Sequence, residues 1–483
     1  MRYLLPLFVT LCLCQRPDHL VPSLPGVPLP LLSRWYSGFY NVTQPSQQRH
    51  YLFIESLHQP ESDPVMVFFS GGPGAASIMV AFGYHGPIVV KDREKMEAEW
   101  VVNKDTWCQN ASVLFIDNPA DAGYSYASRP RDTYTSDASF SRDILSFLLQ
   151  FYADYPSLYK NPLYIVGISY GGNYAPYTAW TLHQYNMEVK MRNITGEKPF
   201  PLQGFIASNG VTDFDTDPFI STIDAYFHQG AIPLALYESW NEQGCRVYWM
   251  GVKPDRMPGS CREVHEKINA LVGHMFIYDM LEMNEEPIQD GLMGDGDGEI
   301  VDIRKQVREL RFKQYSVPDK YSNPSCQGES RPITHHTRES PLSLLDWLNT
   351  TAVKQALHVN PLKQNFTMYS DLAFYNFRAG RESSRWIYQL LAPHGYRMMH
   401  IMGDTDAILS LPGAWGWIKK LPFPVTRGWT PWVSGEKLVG YVKEYGRFAL
   451  VTVHGNGHNA LHVRDYEVYG IMRRFMFNMT LLE

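Results

Sequence analysis

The segment Leu163-Tyr164-Ile165-Val166-Gly167-Ile168-Ser169-Tyr170-Gly171-Gly172 decides how the rest of the chain is read. A short apolar, β-branched run ends in Gly-x-Ser-x-Gly, and a segment able to start a helix follows. This order predicts a strand–turn–helix elbow that exposes the Ser169 oxygen as a nucleophile. Gly167 and Gly171 fit such a turn because a side chain at either would meet the neighbouring backbone. Five-residue matches of this kind arise by chance in long chains. The reading therefore needs an acid and a histidine placed to serve the serine.

Other apolar runs read as strands: Tyr36–Val42, His50–Glu55, Val65–Phe69, Ser112–Ile116, Phe205–Ser208, Arg397–Met402 and Arg447–His454. Apolar residues at helical spacing predict helices over Ser139–Tyr155, from Asn173 onward, and over Asp346–Leu357 and Arg385–Leu391. Strands alternating with helices imply an α/β fold, a mostly parallel sheet with helices on both faces. Chemistry in such folds is built at the carboxyl ends of the strands.

Two strand ends carry the missing partners. Arg397–Met402 runs into Gly403-Asp404-Thr405-Asp406, and Arg447–His454 runs into Gly455-Asn456-Gly457-His458. The chain order Ser169, Asp406, His458 is the one used by α/β-hydrolases. His458 would take the proton of Ser169, and Asp406 would hold the imidazole in its working tautomer. Asp406 is chosen over Asp404 because it lies further onto the loop. His454, His458 and His462 are four apart, but Gly455 and Gly457 make a metal-binding helix face improbable, so no metal and no cofactor is expected. The acidic stretch Gly291–Glu299 lacks the glycine placement of a calcium loop and reads as solvated, as does the pair His335-His336.

Between residues 211 and 334 strand signals fade and helical patterns appear at Pro233–Gly244 and Glu263–Leu281. The expected organisation is a signal peptide over 1–16, a first core part over 17–210, an inserted cap over 211–334, and a second core part over 335–483. The chain of 483 residues is 45% apolar and 19% charged, enough for a substantial core. Its formal charge of −6 gives no ground for a nucleic-acid partner. No internal apolar run is long enough to span a membrane.

One basic residue followed by a short apolar run to Cys14 predicts a cleaved secretory signal, with a buried N-terminal strand as the alternative. Sequons at Asn41, Asn110, Asn193, Asn349, Asn365 and Asn478 agree with a secreted or lysosome-like, vacuole-like destination. Loss of Cys12 and Cys14 with the signal leaves Cys108, Cys245, Cys261 and Cys326, an even number open to three pairings. Cys245–Cys261 as a local loop with Cys108–Cys326 as a long staple is the favoured set.

The motifs together resemble the serine carboxypeptidase family, which includes cathepsin A and the plant carboxypeptidase-like acyltransferases. The resemblance runs from about Trp35 to Phe475. It is carried by Ser70-Gly71-Gly72-Pro73-Gly74, Phe115-Ile116-Asp117-Asn118-Pro119, Gly123-Tyr124-Ser125-Tyr126, the elbow, Ala356-Leu357-His358-Val359, Gly403–Asp406, Gly440–Tyr445 and Gly455–His458. It implies an oxyanion hole formed by the N–H groups of Gly72 and Tyr170, donors worth about 3 kcal/mol each in such sites. It also places substrate beside Ser70, Gly71, Tyr84, His85, Ile168 and Asn459.

The chain departs from the family where the substrate carboxylate is held. The family's asparagine is Ser70 here, and its two glutamic acids are Tyr84 and Ile168. Ile168 offers no hydrogen bond, whereas Ser70, Tyr84 and His85 can donate. Asn459-Ala460-Leu461 replaces the usual Met-Val-Pro, and Ala75 stands where a cysteine is expected, which makes Cys108 the candidate for a moved disulfide. Three readings follow: a serine peptidase releasing C-terminal residues with an altered clamp, an acyltransferase or esterase on another acyl substrate, and a non-catalytic glycoprotein. A homodimer is compatible with any of them.

Overall fold

The computed structural model describes residues 16–43, 46–90, 99–129, 135–193, 196–217, 220–248, 257–283, 342–363, 365–370, 383–461 and 465–482. Most of the expected signal peptide, the acidic stretch, Cys326, His335, His336 and His462 lie outside the described residues.

The strands in chain order are β1 (Leu20–Val21), β2 (Trp35–Asn41), β3 (Gln47–Ile54), β4 (Val65–Phe69), β5 (Ile88–Val90), β6 (Trp100–Val102), β7 (Ser112–Ile116), β8 (Tyr126–Ala127), β9 (Leu163–Ile168), β10 (Leu202–Ser208), β11 (Arg397–Gly403), β12 (Arg427–Ser434), β13 (Lys437–Tyr445) and β14 (Phe448–Val453). Twelve of them form one sheet, ordered β1-β2-β3-β7-β4-β9-β10-β11-β14-β13-β12 with β8 on β3. From β7 through β14 every neighbouring pair is parallel. Antiparallel strands extend both edges. The α/β-hydrolase architecture expected from the sequence is therefore present.

Alternation along β4 explains the two layers. Val65, Val67 and Phe69 face one side of the sheet and pack with Phe140, Ile144, Phe147 and Tyr174 from the helices Asp137–Asp154 and Gly171–Arg192. Met66 and Phe68 face the other side and pack with Leu344, Leu348 and the C-terminal helix Asp465–Met476. All five β4 residues are buried, as a strand covered on both faces must be.

The structure corrects four local expectations. The hairpin of β12 and β13 has no counterpart in the sequence reading; Pro431 breaks its alternation, and an edge strand tolerates a proline. The helix expected over Asp346–Leu357 is two helices, Leu342–Asn349 and Thr351–Ala356, because Thr350 caps the second by accepting from the Val353 N–H. The helix expected to reach Leu281 stops at Val272, and residues 275–283 form a closed turn whose ends bridge at Met275 and Met283. Cys108 is a free, fully buried thiol raised to about 12 by burial, so the Cys108–Cys326 staple is not formed. Cys245 and Cys261 are joined, tying the short helix Cys245–Tyr248 to the helix Gly259–Val272. Among the described residues no helix is long and apolar enough to cross a membrane.

Candidate active site

Ser169 sits between β9 and the helix Gly171–Arg192 with φ of 60°, the left-handed conformation of a strained elbow. Three backbone bonds fix the turn: Ser169 N–H donates to Ser208, while the Gly172 and Val211 N–H groups donate to the Ser169 carbonyl. A Cβ on Gly167 would lie 1.9 Å from the Gly171 oxygen, and one on Gly171 would lie 2.5 Å from the Phe69 oxygen. Both glycines are therefore demanded by contact, as the sequence reading anticipated.

The loop after β4 lies against the elbow. A Cβ on Gly71 would stand 2.4 Å from Ser169 Cβ, so only glycine lets this loop approach the serine. Gly72 has φ of 112°, and its absent Cβ would meet the Gly74 and Ala75 nitrogens. The loop is braced from two sides. Ile78 N–H donates to Asp117 at 3.1 Å, and the segment Phe366–Ser370 runs antiparallel beside it, with Ala76 N–H donating to Met368 and Ser370 N–H to Gly74.

β11 and β14 are parallel neighbours, so their carboxyl ends deliver Asp406 and His458 side by side. Asp406 Oδ2 accepts from His458 Nδ1 at 2.6 Å and from Asn209 Nδ2 at 2.9 Å. Its other oxygen accepts from the Ile408 and Leu409 N–H groups at 2.9 and 3.2 Å. Four donors converge on this fully buried carboxylate and fix its orientation against the ring. His458 Nε2 is buried and makes no hydrogen bond, and it borders the same cleft as Ser169. Asp404 serves the loop instead, bonding His454 Nδ1 and accepting from Gly455 N–H.

The cleft above Ser169 encloses about 680 Å³ including its open mouth. All six positions expected to border substrate line it, together with Gly72. Ile168, Met79, Val80, Met368 and Leu461 make its wall largely apolar, and no carboxylate lines it among the described residues. The His85 imidazole stacks on the Trp107 indole, with centroids 3.9 Å apart and planes 10° apart, so its edge is what faces outward from the stack.

Sequence reasoning missed Asn209, Trp107, Met79, Met368 and Tyr369. Asn209 stands just past the end of β10 with φ of 36°, beyond the Phe205–Ser208 run that reads as a strand. The other four reach the cleft through contacts between distant segments. Tyr278, in the turn that follows the helix Gly259–Val272, packs its ring against His458 with centroids 4.9 Å apart.

A model of the serine carboxypeptidase family matches residues 25–478. Serine carboxypeptidase 1 of Hordeum vulgare is 27% identical, covering 95% of this chain and 93% of its own length. Serine carboxypeptidase-like 20 of Arabidopsis thaliana is 26% identical, covering 95% and 92%. Among solved structures, KEX1(delta)p, a prohormone-processing carboxypeptidase from Saccharomyces cerevisiae, superposes with a TM-score of 0.67 at 16% identity over 95% of this chain and 96% of that one, a likeness of fold. On the family match across nearly its whole length, this chain belongs to the serine carboxypeptidase family.

Proposed function

We propose that the protein is a serine-type acyl hydrolase that releases C-terminal residues from peptides. The observation that carries this reading is the Asp406–His458 bond beneath a cleft that Ser169 also lines. Ser169 Oγ attacks the scissile carbonyl while His458 Nε2 takes its proton, and Asp406 stabilises the resulting imidazolium. The oxyanion that forms accepts from the Gly72 and Tyr170 N–H groups. Collapse breaks the scissile bond, the leaving group takes the proton from His458, and water releases the acyl group by the reverse sequence. Ser70, Tyr84, His85 and Asn459 line the cleft with groups able to donate hydrogen bonds to the leaving group.

A serine-reactive fluorophosphonate probe tests the nucleophile. Labelling of the wild type that disappears in Ser169→Ala supports the hydrolase. Failure of the wild type to label leaves the non-catalytic glycoprotein.

The apolar wall around Ile168 favours a second reading, an esterase or acyltransferase whose leaving group carries no charge. Esters, amides and free-carboxylate peptides assayed side by side separate the two. Clear preference for free-carboxylate peptides removes the second reading. Passage through the secretory pathway is inferred from the Cys245–Cys261 disulfide and the sequons; sensitivity of the expressed protein to N-glycosidase tests it.

A further inference from the structure

We infer that residues Ile277–Met280 of the inserted region clasp the two loops carrying Asp406 and His458, and that Tyr278 is a positioning residue for the base. The proposal rests on the serine-hydrolase reading.

The clasp is a self-closed turn. Phe276 N–H donates to Glu282, Asp279 N–H to Phe276, and Glu282 N–H to Asp279. It grips the acid loop at three points: Ala407 N–H donates to Ile277 at 3.0 Å, Met280 N–H to Thr405 at 2.8 Å, and the Thr405 hydroxyl to Asp279 Oδ1 at 2.7 Å. It grips the histidine loop at a fourth, where His458 N–H donates to the Tyr278 carbonyl at 2.6 Å.

Gly457 shows that the fit is close. A Cβ there would lie 2.3 Å from the Tyr278 oxygen and 2.6 Å from Asp279 Cβ. Its backbone does not require glycine, since it is not among the residues of positive φ. The approach of the clasp does.

The ring contact is what turns a structural contact into a positioning one. His458 is held at Nδ1 by Asp406, and Nε2 makes no hydrogen bond. A ring anchored at one nitrogen can still pivot about that bond. The Tyr278 ring lies at 63° to the imidazole and blocks the pivot, fixing where Nε2 points. A displacement of about 1 Å in such a group can cost on the order of 100-fold in rate.

The test is the second-order rate of fluorophosphonate labelling of the full chain across pH, with thermal unfolding as a check on folding. Tyr278→Ala is expected to slow labelling by roughly 10- to 100-fold and to shift the pH profile, while Tyr278→Phe restores both. If Tyr278→Ala does not fold, Tyr278→Leu, which fills space without a ring edge, carries the same expectation. A folded Ala or Leu variant that labels at the wild-type rate with the wild-type pH profile overturns the clasp. Equal slowing in the Phe variant also overturns the ring-based role. If the wild type does not label, the hydrolase reading falls. The low-field proton resonance of the His458–Asp406 bond then decides the clasp alone: broadening in Tyr278→Ala supports it, and an unchanged signal overturns it.

Discussion

His458 Nδ1 lies 2.6 Å from Asp406, while His454 Nδ1 is bonded to Asp404, so two histidines four residues apart are each claimed by a different carboxylate of the same Gly-Asp-Thr-Asp loop. The pairing predicts unequal effects. Asp406→Asn leaves the ring in the wrong tautomer and should lower turnover by about 10⁴-fold. Asp404→Asn loosens a loop and should cost no more than roughly tenfold. Rates of ester hydrolysis for the two variants check this, and equal losses would contradict the assignment.

Ile168 precedes the nucleophile and faces the cleft, where the family resemblance places an acid. Ile168→Glu, combined with Tyr84→Glu and Ser70→Asn, should raise cleavage of free-carboxylate peptides and confine it to acid pH. Two facing carboxyl groups bind an anion only while they share a proton. The wild type should show the weaker acid dependence. Peptide release measured from pH 4 to pH 8, a range of about four units around the carboxylate and histidine values, distinguishes the two profiles.

His400, on β11, is completely buried and neither ring nitrogen has a hydrogen bond, and burial lowers its pKa to about 3. Because the folded value lies below the unfolded one, the group's contribution is complete above about pH 6.5. It is lost as pH falls towards 3. At pH 5 the loss is on the order of 2 kcal/mol relative to pH 7. His400→Leu should therefore flatten the acid side of the stability curve; chemical denaturation at pH 5 and pH 7 measures it, and an unchanged difference between the two pH values would refute the assignment.

The sequons differ in how the fold treats them. Asn41, Asn193, Asn365 and Asn478 are exposed. Asn349 is half-buried, donating to Leu345 at 3.0 Å and accepting from Phe366 N–H at 2.8 Å. A glycan on Nδ2 would compete with the bond to Leu345 and would have to leave a half-buried side chain whose oxygen is already held by Phe366 N–H. Mass spectrometry of the protein expressed in a glycosylating host should find glycan at exposed positions and an unmodified Asn349; full occupancy at Asn349 would contradict the local structure.

Ser169, Asp406 and His458 were legible in sequence because each follows an apolar run, and glycines mark the turns that expose them. Those signals are local: strand periodicity, a tight elbow, a loop at a strand's carboxyl end. The parallel core strands were legible for the same reason. The choice of Asp406 over Asp404 could be argued from position, but only the pairing of β11 with β14 puts its carboxylate on His458.

Tertiary structure alone decided what surrounds the three groups. Asn209 reaches Asp406 across 197 residues of sequence, Met368 joins the cleft beside the loop after β4, and the turn at Tyr278 lies against His458. None of these has a periodicity or a motif to announce it. Cys108 was assigned to a disulfide by counting, yet the fold buries it as a thiol. The sequence by itself determined the elbow, the chain order of the candidate triad and the missing carboxylate clamp. The supports of acid and base, and the apolar wall of the cleft, depend on contacts between segments far apart in the chain, which only the folded structure brings together.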